Sequence, residues 1–171
     1  MTAPTLATER LSMRALTKAT QTQVAWLRDP EVVRFSEQRH REHTLSSQLR
    51  YINAFGESYL WGIYTVHDGA HIGNMSASID QPNKTADVGI LIGETKYWRK
   101  GYGLEAWREA CRWMLDPGQG ALRKLEAGCM ATNLGMRRIL DKSGFKLEGE
   151  RLNHFLLDGS PVGMVFYGRF K

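Results

Sequence analysis

The segment WRKGYGL, residues 98–104, combines two glycines with two adjacent cations at the predicted start of a helix. Glycines at positions 101 and 103 carry no Cβ, so backbone N–H groups there can approach a ligand closely. The first N–H groups of a helix lack partners within the helix, and its N-terminus carries a partial positive charge. With Arg99 and Lys100 beside them, these features predict a site for a pyrophosphate. A solvent-exposed basic turn is the simpler alternative.

The letters GYGLEA also fit the dinucleotide-binding pattern G-x-G-x-x-G/A, and Glu126 follows about 20 residues later. In that fold the strand runs directly into the first glycine, whereas the segment ETKYWRK separates strand and glycine here. Glu126 also falls in the middle of a predicted strand. The sequence therefore does not predict a nicotinamide or flavin site. It contains no Walker loop, paired C-x-x-C or H-E-x-x-H motif, so no metal site is predicted either.

Hydrophobic periodicity indicates the elements that hold this segment. The apolar stripe of Leu104, Trp107, Cys111 and Met114 is typical of a helix with one buried face. Mostly antiparallel strands come first, and strand, helix, strand, helix, strand follow, which predicts a mixed sheet in an α/β domain. The predicted strands are 10–16, 59–66, 70–79, 86–93, 122–131 and two more near the C-terminus. The predicted helices are 17–29, 43–57, 101–115 and 133–144.

Composition bounds the class of protein. The chain has 171 residues, 42% of them hydrophobic, which suits one globular domain over residues 1–171. No apolar run approaches the roughly 20 residues of a membrane helix, and the N-terminal segment lacks the features of a secretion signal. We therefore expect a cytoplasmic protein without a membrane partner, in which Cys111 and Cys129 are buried and reduced. The net charge of +5 favours a polyanionic ligand, either nucleic acid or a phosphorylated small molecule.

Two separate motifs resemble one known family. The stretches ADVGILIGETKYWRKGYGLEAW (86–107) and LRKLEAGCMATNLGMRRILDKSGFKLEGE (122–150) are similar to the acetyl-CoA-binding half of the GNAT superfamily of N-acetyltransferases. Within it they resemble the branch of the ribosomal-protein-alanine N-acetyltransferases. The family's phosphate loop, Q/R-x-x-G-x-G/A, is matched except that Trp98 fills the first place. The second motif, an asparagine and then a helix ending in K-x-G-F, is matched at Asn133, Lys142, Gly144 and Phe145.

The resemblance implies a single-domain GNAT fold of class α/β, with a mixed, mostly antiparallel sheet of six to seven strands and about four flanking helices. Strands 86–93 and 122–131 would splay apart, and acetyl-CoA, the co-substrate, would lie between them with its pyrophosphate on residues 99–104. Asn133 would contact the pantetheine arm, cap the following helix, or do both. No metal is implied. The residues expected to bind the coenzyme are Ile90, Ile92, Trp98, Arg99, Lys100, Gly101, Tyr102, Gly103, Leu104, Asn133 and Arg137.

The family's reaction is direct attack of an amine on the acetyl thioester within a ternary complex, which uses the proximity of two bound reactants. Asp87 is the expected general base, and Glu94 and His154 are its competitors. Many relatives protonate the departing thiolate with a tyrosine, which Leu140 replaces here. Another donor, a water or no dedicated acid is therefore expected. Tyr167 is a candidate donor, and an aromatic packed in the core is the simpler alternative.

Recognition of the acceptor is expected in the polar segment 29–44, a predicted loop between the first two helices. The acceptor is either a protein N-terminal amine, slightly favoured by the branch, or an amino sugar, a sugar nucleotide or another small amine. A coenzyme-A-binding module without catalysis and a basic nucleic-acid-binding domain are the alternatives from other classes, and we expect no nucleic-acid partner. A homodimer stays open. The candidate acceptor-binding residues are Glu37, Arg39, His43 and Tyr167.

Overall fold

The structure, a computed structural model, describes residues 2–56 and 58–171. Within these residues eight strands form one sheet, in the order β1-β2-β3-β4-β5-β6-β8-β7. The strands are β1 (Leu6–Ala7), β2 (Leu11–Ala15), β3 (Tyr59–Thr65), β4 (His71–Asp80), β5 (Thr85–Ile92), β6 (Lys124–Met130), β7 (Lys146–Leu157) and β8 (Ser160–Phe170).

Five α-helices accompany the sheet over the same described residues, together with 3-10 turns at Glu37–His40 and Thr95–Tyr97. No described helix has the length and apolar character needed to cross a membrane. The helices are α1 (Gln21–Arg28), α2 (Pro30–Val33), α3 (Leu45–Asn53), α4 (Tyr102–Leu115) and α5 (Leu134–Lys142).

Neighbouring strands are antiparallel at every pairing except β5 with β6, which is parallel. The predicted mixed, mostly antiparallel α/β fold is therefore confirmed. The sheet has one strand more than the six to seven expected. The additional strand is β1, whose two residues are too few to show an alternating pattern.

The two faces of the sheet differ in chemistry around β5 and β6. One face belongs to the main core, where Trp107 and Met114 of α4 and Leu140 of α5 are fully buried. Ala86 and Val88 of β5, and Leu125 and Ala127 of β6, point into that core. Because side chains alternate along a strand, the residues between them belong to the opposite face. We call this opposite face the second face, and around the gap it carries Asp87, Gly89, Glu126 and Gly128.

The segment 29–44 is not the loop that the sequence predicted. The first helix ends at Arg28, before Pro30, close to the predicted end at residue 29, and Pro30 then begins α2, where a missing N–H costs nothing. The Asp29 carboxylate caps α2 by accepting a hydrogen bond from the Glu31 N–H at 2.9 Å. The 3-10 turn at Glu37–His40 then follows. The segment therefore consists mainly of short, individually capped helical turns.

The two early helices are also shorter than predicted, because side-chain caps fix where they begin. Thr20 and Gln23 form a capping box, so α1 starts at Gln21 instead of residue 17. Thr44 caps α3 in the same way. The predicted end of the second helix, at Glu57, lies outside the described residues.

Candidate functional site

The turn between β5 and α4 presents a row of free backbone donors. The Trp98 N–H bonds to Thr95 and the Glu105 N–H bonds to Gly101, but none of the N–H groups of residues 99–104 has a hydrogen-bond acceptor among the described residues. Arg99 and Gly101 both adopt positive φ, 59° and 85°, which turns successive N–H groups toward one side. With the exposed Arg99 and Lys100 side chains, the turn has the chemistry of an anion site.

A network that the sequence did not indicate holds this turn in place. Glu105, in the first turn of α4, accepts hydrogen bonds from the Thr8 hydroxyl at 2.5 Å and from Arg10 Nε at 2.6 Å. Arg10 Nη1 also donates to the Lys100 carbonyl at 3.1 Å, and its guanidinium lies 4.3 Å from the centre of the Tyr102 ring. Burial alone would raise the pKa of Glu105, but the bonds from Thr8 and Arg10 outweigh it and lower that pKa. Arg10 therefore ties β2 to both ends of the turn.

The predicted splay between β5 and β6 is confirmed. Their pairing is confined to Thr85 with Lys124, Ala86 with Leu125 and Asp87 with Glu126. From residue 88 onward, the side of β5 that faces β6 has no strand partner among the described residues. The gap opens toward the turn at residues 99–104, because that turn follows the end of β5.

The side chains of Ile90 and Ile92 pack against the core beside this gap. The carbonyl of Ile92 accepts a hydrogen bond from the Trp98 indole at 2.7 Å, so Trp98 fastens the turn to the end of β5. A Cβ built on Gly103 would lie 3.5 Å from Ile92 and 3.4 Å from Ile139 of α5. Gly103 therefore lies where β5, α4 and α5 meet, with little free space beside it.

The far wall of the gap is the start of α5. The Asn133 side chain accepts a hydrogen bond from the Met136 N–H at 3.1 Å, so its role as helix cap is confirmed. Arg137 donates to the Ala131 carbonyl at 3.0 Å and to the Tyr167 hydroxyl at 3.3 Å. Tyr167 itself is only 3% exposed and lies on the core face. The sequence analysis listed Tyr167 as a candidate acceptor-binding residue. The structure places it in the core, which agrees with the simpler alternative of an aromatic side chain packed there.

Two carboxylates stand side by side where the strands begin to separate. Asp87 and Glu126 are register partners on the second face. Asp87 is exposed to solvent, yet partial burial and the charge of Glu126 raise its pKa above the ordinary 3.8, against a lowering hydrogen bond from Val88. Lys124 lies 2.8 Å from the Glu126 carboxylate and bridges it to Glu148. Asp87, which has no such counter-ion in the described chain, is therefore the better proton acceptor of the pair.

The other two candidate bases do not meet Asp87. Glu94 lies beyond the end of β5, seven residues further along the chain, and accepts a hydrogen bond from the Trp26 indole at 2.9 Å. His154 lies on β7, which β6 and β8 separate from β5, a lateral distance of roughly 14 Å. Its exposed ring contacts Phe155 edge-on at 4.6 Å. Asp87 is the candidate that lies at the gap.

The predicted acceptor residues of the segment 29–44 have structural partners. His43 was expected at the surface, but it is 3% exposed, with its Nε2 bonded to the Gln38 carbonyl at 2.9 Å and its Nδ1 to the Gln48 side chain at 3.3 Å. That expectation was wrong because both ring nitrogens stabilise the folded segment. Glu37 remains half exposed and pairs with Arg39 at 2.8 Å.

Arg39 joins the segment to the far end of the chain. Its guanidinium donates to the Ser36 carbonyl at 3.0 Å and to the Leu156 carbonyl of β7 at 3.2 Å. Arg34 forms a second link, an ion pair with Asp158 at 2.7 Å. The structure thus brings the segment 29–44 into contact with the β7–β8 hairpin. The described residues contain no group of acidic, histidine and cysteine side chains that could hold a metal ion.

Comparison with known proteins agrees with this geometry. The sequence model of the family described as "Acetyltransferase (GNAT) domain" matches residues 10–146. A curated relative, the "Probable N-acetyltransferase YjcK" of Bacillus subtilis, is 33% identical over 107 residues, which are 60% of this chain. The matched region spans 56% of the length of that relative.

Solved structures share the fold over almost the whole chain. The ribosomal-protein-S5-alanine acetyltransferase from Vibrio fischeri superposes with a TM-score of 0.77, at 18% identity over 98% of this chain and 96% of that one. The RimL ribosomal L7/L12 alpha-N-protein acetyltransferase in complex with coenzyme A gives 0.79, at 14% identity over 98% of both chains. The microcin C7 self-immunity acetyltransferase MccE, in complex with acetyl-CoA and AMP, gives 0.78 at 17% identity over 96% and 94%.

Proposed function

The chain belongs to the acetyltransferase (GNAT) family, and from that membership we propose that it transfers the acetyl group of acetyl-CoA to a primary amine. The free N–H groups of residues 99–104 at the end of the β5–β6 gap carry this proposal. A pyrophosphate needs several aligned donors, and the gap offers an extended pantetheine arm an unpaired strand edge. The coenzyme complexes solved for RimL and MccE support the choice of ligand.

In the proposed site Arg99 and Lys100 lie near the phosphates, and the backbone of Ile90 bonds the pantetheine arm. The Asn133 amide nitrogen contacts the same arm, because its cap uses only the side-chain oxygen. The turn that holds the pyrophosphate in this site also includes Trp98, Gly101, Tyr102 and Leu104. Arg137 fixes the neighbouring wall through Ala131 and Tyr167.

The reaction is direct transfer within a ternary complex. The amine nitrogen attacks the thioester carbonyl carbon, the C–S bond breaks, and Asp87 takes the proton from nitrogen directly or through a water. Leu140, fully buried at the place of the usual tyrosine, offers no proton to the sulfur. The coenzyme therefore leaves as a thiolate that takes its proton from water, which is acceptable for a leaving group whose pKa lies near that of other thiols, about 8.5.

The charges around the gap favour a peptide N-terminus over a sugar nucleotide. A diphosphate acceptor needs free cations, and two of the three arginines of the segment 29–44, Arg34 and Arg39, are engaged in contacts with the β7–β8 hairpin. Asp87 and Glu126 instead present negative charge where the acceptor must approach. An ammonium entering as a cation is attracted there, and a diphosphate is repelled.

Turnover with an amine panel tests the proposal. Purified protein and acetyl-CoA are combined with peptides bearing free or blocked N-termini, polyamines and amino sugars, and the released thiol is measured. We expect turnover with free N-termini and none with the blocked peptides. Coenzyme binding without thiol release from any amine would instead establish a non-catalytic coenzyme-A-binding module. The cytoplasmic location and the homodimer stay predictions.

A further inference from the structure

On the second face, two glycines flank the gap directly beyond the two carboxylates. Gly89 follows Asp87 by two residues on β5, and Gly128 follows Glu126 by two residues on β6, so all four belong to one face. Gly128 is exposed, and Gly89 is partly exposed. Neither glycine places a side chain of its own across the gap on the second face. We call the opening between Gly89 and Gly128 the window.

Each side of the window is lined by side chains of the next strand. A Cβ built on Gly89 would lie 3.2 Å from the Ser76 hydroxyl, and Ser76 is the register partner of Gly89 on β4. A Cβ built on Gly128 would lie 2.6 Å from the Met164 methyl group of β8. One wall is therefore a hydroxyl and the other is apolar.

Tyr51 of α3 adds a second hydroxyl to the polar wall. Its hydroxyl contacts the Ser76 side chain, and burial raises its pKa while the hydrogen bond from Ser76 lowers it in part. The residue as a whole is still 43% exposed, and its ring packs edge-on against Phe55 at 5.3 Å. The Tyr51 hydroxyl is therefore fixed beside the window while part of the residue remains open to solvent.

Resting on the proposed transfer reaction, we propose that Tyr51 and Ser76 form a specificity-determining hydroxyl pair that contacts the acceptor. A nitrogen that reaches the thioester through the window, with Asp87 on one side, leaves its neighbouring atoms beside Ser76 and Tyr51. Ser76 donates its hydroxyl hydrogen to Tyr51, so the Tyr51 hydroxyl is the one that donates to an oxygen three bonds from the reacting nitrogen. In a peptide that oxygen is the carbonyl of the first residue. The pair therefore selects amines that carry an adjacent carbonyl oxygen over simple alkylamines.

The experiment compares Tyr51→Phe with wild type on two acceptors, a peptide with a free N-terminus and an alkylamine of similar length without the carbonyl. Tyr51→Phe keeps the ring on Phe55 and removes only the hydroxyl. We expect the acceptor KM for the peptide to rise by about threefold to tenfold, the range of one neutral hydrogen bond, with kcat within twofold. The KM for the alkylamine and the Kd for acetyl-CoA stay unchanged. Ser76→Ala shows the same pattern.

Tyr64→Phe is the matched control. Tyr64 belongs to the same face, where its ring stacks on His71 at 4.5 Å, but Ser12 and His71 are its register partners, away from the window. Equal kinetics of Tyr51→Phe and wild type on the peptide would overturn the proposal, and so would equal losses on peptide and alkylamine or a fall in kcat alone. Failure of the proposed function looks different, since wild-type protein would then release no thiol with either acceptor.

Discussion

Replacing Arg10 with alanine should weaken acetyl-CoA binding, although Arg10 lies about 90 residues from the phosphate turn in sequence. Its guanidinium donates to Glu105 at 2.6 Å and to the Lys100 carbonyl at 3.1 Å. Arg10→Ala removes both bonds and the contact with Tyr102. The turn, which has positive φ at Arg99 and Gly101, then keeps only the hydrogen bonds that Glu105 accepts from the Thr8 hydroxyl and from the backbone N–H of residue 10 as its link to this part of the chain.

The size of the effect follows from the exposure of the partners. The Arg10 and Glu105 side chains are 42% and 19% exposed, so their ion pair contributes about 1 kcal/mol at most. The bond to the Lys100 carbonyl contributes about another 1 kcal/mol. A loss of about 1 to 2 kcal/mol from the free energy that stabilises the binding conformation of the turn corresponds to a Kd for acetyl-CoA about 5-fold to 30-fold higher. The same loss should lower the melting temperature.

Calorimetric titration with acetyl-CoA measures this change, and Arg112→Ala is the control. Arg112 lies on α4, the helix that also carries Glu105, and pairs with Glu109 at 2.6 Å. Its replacement by alanine removes the same charge as Arg10→Ala but no contact with the turn. We expect Arg112→Ala to bind within twofold of wild type. If the Arg10→Ala protein is fully folded and binds acetyl-CoA with wild-type affinity, the role assigned to this network is refuted.

Other predictions concern the carboxylates, the hairpin contact and the thiols. Because burial and Glu126 raise the pKa of Asp87, its ionised form destabilises the folded protein above pH 3.8. Asp87→Asn should therefore raise the melting temperature at pH 7. Because the variant also lacks the proposed general base, kcat should fall by about 100-fold or more. The lowered pKa of Glu105 stabilises the protein above pH 4.5 and this contribution is lost as the pH falls through the lowered value, so acid unfolding should depend less on pH in Glu105→Gln. Arg39→Ala should raise the acceptor KM and leave the acetyl-CoA Kd within twofold, while Arg34→Ala, which removes an exposed pair, should change stability by less than about 1 kcal/mol. Burial raises the pKa of Cys111 to about 12 and of Cys129 to about 11, so thiol reagents should label neither in the native protein, and rapid labelling would contradict their burial.

The parts of the site that were predicted from sequence are local ones. They are the glycines and cations of residues 98–104 and the helix cap at Asn133. Each of these features involves residues that are close in sequence, so their spacing can be recognised from the sequence alone. The splay was inferred from the resemblance, and the three-residue pairing of β5 with β6 bears it out.

The parts that escaped prediction depend on distant contacts. Arg10 meets Glu105 across 95 residues, and Tyr51 of α3 forms a hydrogen bond with Ser76 of β4. Hydrophobic periodicity does not indicate such pairs. His43 was assigned to the acceptor-recognition surface because it belongs to the long, polar segment 29–44. The bonds to Gln38 and Gln48 that compensate its burial appear only once the segment folds into short helical turns.

The affinity of Gly103→Asp for acetyl-CoA tests the central claim most directly. A Cβ at this position meets Ile139 at 3.4 Å, an ordinary contact, so the fold should survive, and Gly103→Ala reports the effect of that Cβ alone. The added carboxylate would lie among the free N–H groups where the pyrophosphate is expected, and it would bring like charge against it. We predict a Kd at least about 100-fold higher for Gly103→Asp, or about 2.7 kcal/mol, and a change below about tenfold for Gly103→Ala. A Gly103→Asp protein with wild-type melting temperature and wild-type affinity would contradict the placement of the coenzyme on residues 99–104.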